Sequence, residues 1–167
     1  MKMTLLIIGA GGHGRVVAEV AAACGYQKID FLDDRPAEGV IGTLEEIEAK
    51  ASKYDSVIVA IGNNKVRKDI QGRLERMGAG VATLIHPTAY ISPSAGVDIG
   101  TVIEPKAIVN AHSSIGKGCI ISVGSIVDHD VAVGDFAHIN AGAICKAGSH
   151  IEAGRKLEAG EILHGYT

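Results

Sequence analysis

The chain has 167 residues, 47% hydrophobic and 21% charged, with a formal net charge of −3 and 22 glycines. This length holds one ordinary domain or two small ones, and mild acidity without a Lys/Arg run argues against nucleic-acid and membrane-surface partners. The first apolar stretch, Leu5–Ile8, is too short for a signal peptide or a membrane span. Cys24, Cys119 and Cys145 match neither a disulfide framework nor a zinc spacing, so a soluble, cytoplasmic protein without a metal is expected.

Thr4–Ile8 reads as a short buried strand, Gly9–Gly14 as a turn, and Arg15–Cys24 as a helix with Val16, Val17, Val20 and Ala21 at helical spacing. Ile29–Leu32 is a second strand ending in Asp33-Asp34. A helix over Leu44–Ala51 leads to a strand over Ser56–Ile61, which ends in Gly62-Asn63-Asn64. Val66–Met77 reads as another helix and Val81–Ile85 as a last strand. The alternation predicts a small parallel sheet with right-handed crossovers over residues 1–80.

Gly9-Ala10-Gly11-Gly12-His13-Gly14 matches G-x-G-x-x-G between strand and helix. Glycine permits the tight turn and a close backbone approach, and the helix N-terminus offers N–H groups to a phosphate. Asp33 stands 19 residues past Gly14, where a dinucleotide fold places its ribose carboxylate. NAD would need both halves of such a fold, and only one is present. A nucleoside diphosphate needs one half, with pyrophosphate at the loop and nucleoside at Asp33-Asp34. A nucleotide sugar is the favoured ligand, with NAD and a purely structural turn as the alternatives.

From residue 85 onward another order takes over. Ile85, Ile91, Val97, Ile103, Val109, Ile115, Ile121, Val127, Val133, Ile139, Cys145, Ile151, Leu157 and Leu163 recur every sixth position. Four places after most of them stands a small residue, such as Ala89, Ala107 or Ser113. Neither helical spacing nor strand alternation yields a strict six. A hexapeptide β-helix does, because each flat side of its coil buries one apolar side chain per hexad. Three hexads close a coil of about 18 residues, so about four coils are expected between residues 85 and 154. Arg155 and Glu161 fall where small inward residues belong, and an unpaired charge inside so tight a coil is costly. Regular coiling is therefore expected to end near Gly154, with a short atypical tail. The expected architecture is an α/β half-Rossmann domain (1–80) that binds a nucleotide sugar, followed by an all-β parallel β-helix (81–167).

Within Val127-Asp128-His129-Asp130 the hexad phase turns His129 outward. On a straight strand adjacent side chains point apart, so Asp130 can orient His129 only if the chain bends there, at a coil corner. An imidazole flanked by Asp128 and Asp130 is poised as a general base. One coil below Asp130 lies His112, about 4.8 Å away in the stacking direction, and it is expected to help hold that carboxylate. The coil has no His-x4-His spacing of the kind a zinc site would use.

GAGGHG, FLDD at Phe31–Asp34, AIGNN at Ala60–Asn64, LIHPTAYISPSA at Leu84–Ala95 and VDHDVAVGDFAHI at Val127–Ile139 together resemble the bacterial sugar O-/N-acyltransferases of the sialic-acid O-acetyltransferase group. Within that group the similarity is greatest to the N-acetyltransferases that act on UDP-4-amino sugars in bacillosamine biosynthesis. The resemblance implies a homotrimer of left-handed β-helices that holds acetyl-CoA, as co-substrate, between adjacent subunits. It also implies that His129 takes a proton from the sugar amine, that Asp130 raises its basicity, and that His138 contacts the acetyl-CoA thioester across a subunit boundary. Gly11, Gly12 and His13 would hold the diphosphate, Asp33 and Asp34 the uridine, and Gly62 an edge of that pocket.

Three departures bear on this. Asp130 replaces the Glu of the amino-sugar enzymes. Ser122 stands where relatives often carry Asn near the sugar, and the coil is shorter than is usual where CoA is gripped. Sialic-acid or other sugar O-acetylation, and a nucleotide-sugar-binding homologue deficient in CoA, are the alternatives these departures leave open.

Overall fold

A computed structural model describes residues 3–166. The chain forms two compact units, Met1–Ala82 and Thr83–Thr167. In the first, β1 (Thr4–Ile8), α1 (Gly12–Ala23), β2 (Lys28–Leu32), α2 (Ile47–Ala51), β3 (Ser56–Val59) and α3 (Asn64–Arg76) follow in order. The strands form a parallel sheet in the order β2–β1–β3. Leu5 to Ile8 of the central strand are fully buried, as a parallel strand covered on both faces requires. Leu6, Ile8, Leu32, Ile47, Val57, Val59 and Leu74 make one core cluster. The expected strand over Val81–Ile85 is not a sheet member. Val81 makes a single parallel bridge to Val57, and Leu84–Ile85 belongs to the second unit. Because β1 lies between β2 and β3, the chain leaves the sheet to opposite sides at its C-terminal edge, where a crevice opens.

The second unit is a left-handed parallel β-helix of fourteen two-residue strands. Every residue of the six-residue series is the second residue of one strand. The first face stacks Leu84–Ile85, Val102–Ile103, Ile120–Ile121, His138–Ile139 and Lys156–Leu157. The second stacks Tyr90–Ile91, Ile108–Val109, Ile126–Val127, Ile144–Cys145 and Ile162–Leu163. The third stacks Gly96–Val97, Ser114–Ile115, Ala132–Val133 and His150–Ile151. The series and its small companions, Ala107, Cys119, Ala137 and Ala143, fill one core.

Regular coiling does not end near Gly154. Lys156–Leu157 pairs with His138–Ile139, and Ile162–Leu163 with Ile144–Cys145. Arg155 and Glu161 are accommodated because no described strand stacks above them. Their side chains are 41% and 34% exposed and meet at 3.4 Å, so neither charge is enclosed.

The coil corners use the left-handed backbone region. Gly100, Gly118, Gly124, Gly142, Gly148, Gly154 and Gly160 have positive φ, and so do four residues with side chains: Lys106, His112, Asp130 and Phe136. A side chain in this region costs about 1–2 kcal/mol, which makes those four positions conspicuous.

Candidate active site

The crevice of the first unit is built by the glycine motif. Gly9 adopts φ +107, and a Cβ there would stand 2.9 Å from the Ala60 carbonyl oxygen. A Cβ on Gly14 would lie 2.2 Å from the Gly9 carbonyl oxygen, so α1 packs on the turn only because Gly14 has none. Gly11 and Gly12 are different. A Cβ on Gly12 would meet nothing within 4 Å, and one on Gly11 only the tip of Arg35 at 3.9 Å. These two glycines border open space at the start of α1, which has no side-chain cap, where the first N–H groups lie outside the helical ladder.

Asp33 fixes this loop from β2. Its Oδ2 accepts the Ala10 N–H at 2.8 Å and its Oδ1 the Arg35 N–H at 2.9 Å. These two backbone donors, with the Arg35 guanidinium, hold the carboxyl below the usual range. Asp34 does not line the crevice; it accepts the Leu44 N–H at 3.0 Å. Two adjoining cavities of about 360 and 310 Å³ open here. Arg15, Arg35, Gly11, Gly12 and Asp33 line the larger, and His13, Ala60, Ile61 and Gly62 join the lining of the smaller. Burial and then the Arg67 guanidinium push the His13 pKa down to about 4. His13 is therefore neutral near pH 7. Arg15 and Arg35 carry the positive charge, and no motif in the sequence had marked them.

In the coil, His129 and Asp130 occupy the corner between the second and third faces. Asp130 has φ +58, the bend that lets adjacent side chains converge, and its Oδ2 lies 2.7 Å from His129 Nδ1. That bond, followed by the charge of Asp128, raises the His129 pKa. Bonding Nδ1 to the carboxylate fixes the neutral tautomer with its lone pair on Nε2, and the ring is exposed, with 48% of its side chain accessible. Asp128 has a backbone duty: its Oδ1 accepts the His129 N–H at 2.7 Å and the Asn110 amide at 3.1 Å. His112 lies beneath Asp130, also at positive φ. Its charge helps lower the Asp130 pKa, after the larger effect of the His129 hydrogen bond.

His138 stands on the first face, away from the His129 corner, and its Nε2 lies 3.1 Å from Ser122 Oγ. One coil below Ser122 the buried Glu104 accepts the Val123 N–H at 2.9 Å, and burial raises its pKa. The sequence had marked Ser122 and His138 separately but not their contact, and it had not marked Glu104.

Residues 4–74 match the model of the PglD N-terminal domain family. The chain is 35% identical over 101 residues to UDP-N-acetylbacillosamine N-acetyltransferase of Bacillus subtilis (strain 168), a match over 53% of this chain and 45% of that protein. The chain thus spans less than half the length of that relative. The acetyltransferase domain of PglB from Neisseria gonorrhoeae FA1090, solved with acetyl coenzyme A, superposes with a TM-score of 0.93 at 37% identity, covering 99% of this chain and 83% of that one. The chain belongs to the family of this PglB acetyltransferase domain. Perosamine N-acetyltransferase from Caulobacter crescentus, solved with CoA and GDP-perosamine as a histidine-to-asparagine variant, matches with a TM-score of 0.88 at 27% identity over 97% of this chain and 89% of that one. A histidine-to-alanine variant of the same protein also holds both ligands. No described helix in this member of the family is long and apolar enough to cross a membrane.

Proposed function

We propose that this chain is an acetyl-CoA-dependent N-acetyltransferase acting on a nucleotide-linked, UDP-type amino sugar, with His129 as general base. The observation that carries this reading is the His129–Asp130 pair, an exposed imidazole tied at 2.7 Å to a carboxylate on a strained corner. The amine lone pair attacks the thioester carbonyl while its proton passes to His129 Nε2. A C–N bond forms, the C–S bond breaks, and the departing CoA thiolate takes up a proton. Asp130 holds the ring in the accepting tautomer and stabilises the imidazolium, and such assistance is typically worth about 10²–10⁴-fold. That a related enzyme binds both CoA and GDP-perosamine with a histidine replaced fits a histidine needed for chemistry more than for binding.

In the first unit the glycine loop, neutral His13 and the two arginines suit a diphosphate, and Asp33 keeps the loop in shape. Gly62 is proposed at the pocket edge, whereas Asp34, which accepts the Leu44 N–H away from the cavity lining, is left out of the nucleoside site. A homotrimer is the proposed assembly. The second face turns Tyr90, Ile108, Ile126, Ile144 and Ile162 outward, with Tyr90 53% and Ile162 50% exposed. The third face turns out Gly96, Ser114, Ala132 and His150 instead. A copy seated on the apolar face would bring the Ser122–His138 side of one protomer toward the His129 corner of another, with acetyl-CoA between them.

The test is release of free CoA from acetyl-CoA with UDP- and GDP-linked amino sugars and with free sialic acid. Release with a UDP-amino sugar is expected. Release with sialic acid alone, or with no acceptor in the panel, would overturn the proposal.

A further inference from the structure

The corner that carries the base has a vertical neighbourhood that the reaction scheme leaves unused. His112, Asp130, Gly148 and Tyr166 are spaced one coil apart, and the backbone ladder links them. The Asp130 N–H donates to the Ala111 carbonyl at 2.9 Å, that of Gly148 to His129 at 3.1 Å, and that of Tyr166 to Ala147 at 3.2 Å. Tyr166 thus holds the corner position two levels above Asp130. Its ring folds back over Gly148. A Cβ on Gly148 would stand 2.2–2.6 Å from three atoms of that ring. The missing side chain at Gly148 is the gap through which the phenol passes, and beyond it the hydroxyl comes near enough to the Asp130 carboxylate to be the smallest of the influences that lower its pKa.

We infer that Tyr166 is a positioning residue for the His129–Asp130 pair, acting through a window that Gly148 leaves open. The inference rests on the reading of His129 as general base. Asp130 then has His129 bonded beside it at 2.7 Å, the Tyr166 phenol reaching down from above and the His112 charge below. His129 faces Asp130 and Asp128. The phenol restrains the carboxylate from the coil above, over Gly148. It also withdraws part of the negative charge that Asp130 would otherwise present to the imidazole.

The sign of the effect follows. In Tyr166→Phe the carboxylate loses a donor and acts more strongly on His129, so the imidazole titration midpoint, followed by NMR, moves upward. A shift of roughly half a unit corresponds to about a threefold loss of neutral imidazole on the acidic side. The acidic limb of kcat/KM moves with it, while the KM values for both substrates stay put. Gly148→Ala should give the same shift by displacing the ring. Gly154→Ala is its control, since it has φ +73 and nothing within 4 Å of a Cβ; it carries the same backbone strain and should leave the His129 midpoint unchanged. A His129 titration that is superimposable in the wild type and Tyr166→Phe overturns the inference. The NMR arm needs no turnover, so an inactive protein with a shifted midpoint would sink the general-base reading and leave the coupling intact.

Discussion

In the first unit several residues that line the crevice also hold the fold, whereas in the coil the inward residues that hold the fold are distinct from the exposed His129–Asp130 corner. Asp33 lines both cavities, and the same carboxylate anchors Ala10 and Arg35 through backbone N–H groups. Gly9 and Gly14 belong to the motif that frames the crevice, and each is a contact surface for its own backbone. The coil is held by its inward series and by ladders between strands, in which each repeat leans on its neighbours. The His129 side chain takes no part in that, since its ring bonds to Asp130 and stands in solvent. A β-helix can therefore carry a reactive corner at little structural cost, while in the half-Rossmann crevice lining residues such as Gly9 and Asp33 cannot be altered without loosening the loop they hold.

The largest effect expected from this contrast is at His129. His129→Ala should reduce kcat by about 10²–10⁴-fold while the denaturation midpoint changes by no more than about 0.5 kcal/mol, as for an exposed side chain outside the core. Steady-state kinetics and urea unfolding on the same preparation provide the check. A variant that loses stability along with activity would break the contrast, and one that keeps full activity would remove His129 from the mechanism.

Within the first unit the contrast can be drawn between two glycines of one motif. Gly14→Ala sets a Cβ 2.2 Å from the Gly9 carbonyl oxygen and should cost about 1–3 kcal/mol, the range for overpacking a close contact. Gly12→Ala meets nothing within 4 Å and should keep or slightly raise stability, since Ala is the better helix former by about 1 kcal/mol. Its new methyl would occupy ligand space, so the acceptor KM should rise. Equal unfolding midpoints for the two variants would show that the motif glycines are interchangeable and that fold and site are not fused there.

The same division explains what could be read from the sequence. The inward series needs one apolar residue per hexad, so its period is visible without any knowledge of contacts, and it fixed the phase that turns His129 outward. The limit near Gly154 failed because a charge at a small position is forbidden only beneath another coil, and whether a coil lies above is not written in the local sequence. Tyr166 was hidden by that error: its relation to Asp130 exists only if the coil continues. Arg15 and Arg35 carried no period and no motif, and an exposed arginine gains meaning only from the cavity beside it. Asp34 matched its motif position yet turned to cap Leu44, a choice between two nearby donors that spacing does not decide.

The smallest effect is at Asp130, and it is the sharpest for the coil. Asp130 stands at φ +58 in a column that continues with Gly148 at φ +70. If only folding had shaped this corner, glycine would serve it better. A side chain in the left-handed region costs about 1–2 kcal/mol, offset in part by the extra backbone entropy that glycine loses, about 0.5–1 kcal/mol. Asp130→Gly should therefore raise stability by a few tenths to about 1 kcal/mol while lowering kcat/KM and the His129 titration midpoint. The midpoint falls because the hydrogen bond from Asp130 is the largest influence raising it. Strain kept at a position where glycine is the local habit points to use of the side chain. His112→Gly, at the same corner one coil below, relieves the same strain with a much smaller change at His129, because the His112 charge acts on Asp130 rather than on the imidazole. Should Asp130→Gly lose stability, the side chain would be holding the corner together, and the separation of folding from chemistry in the coil would fail at the residue that best represents it.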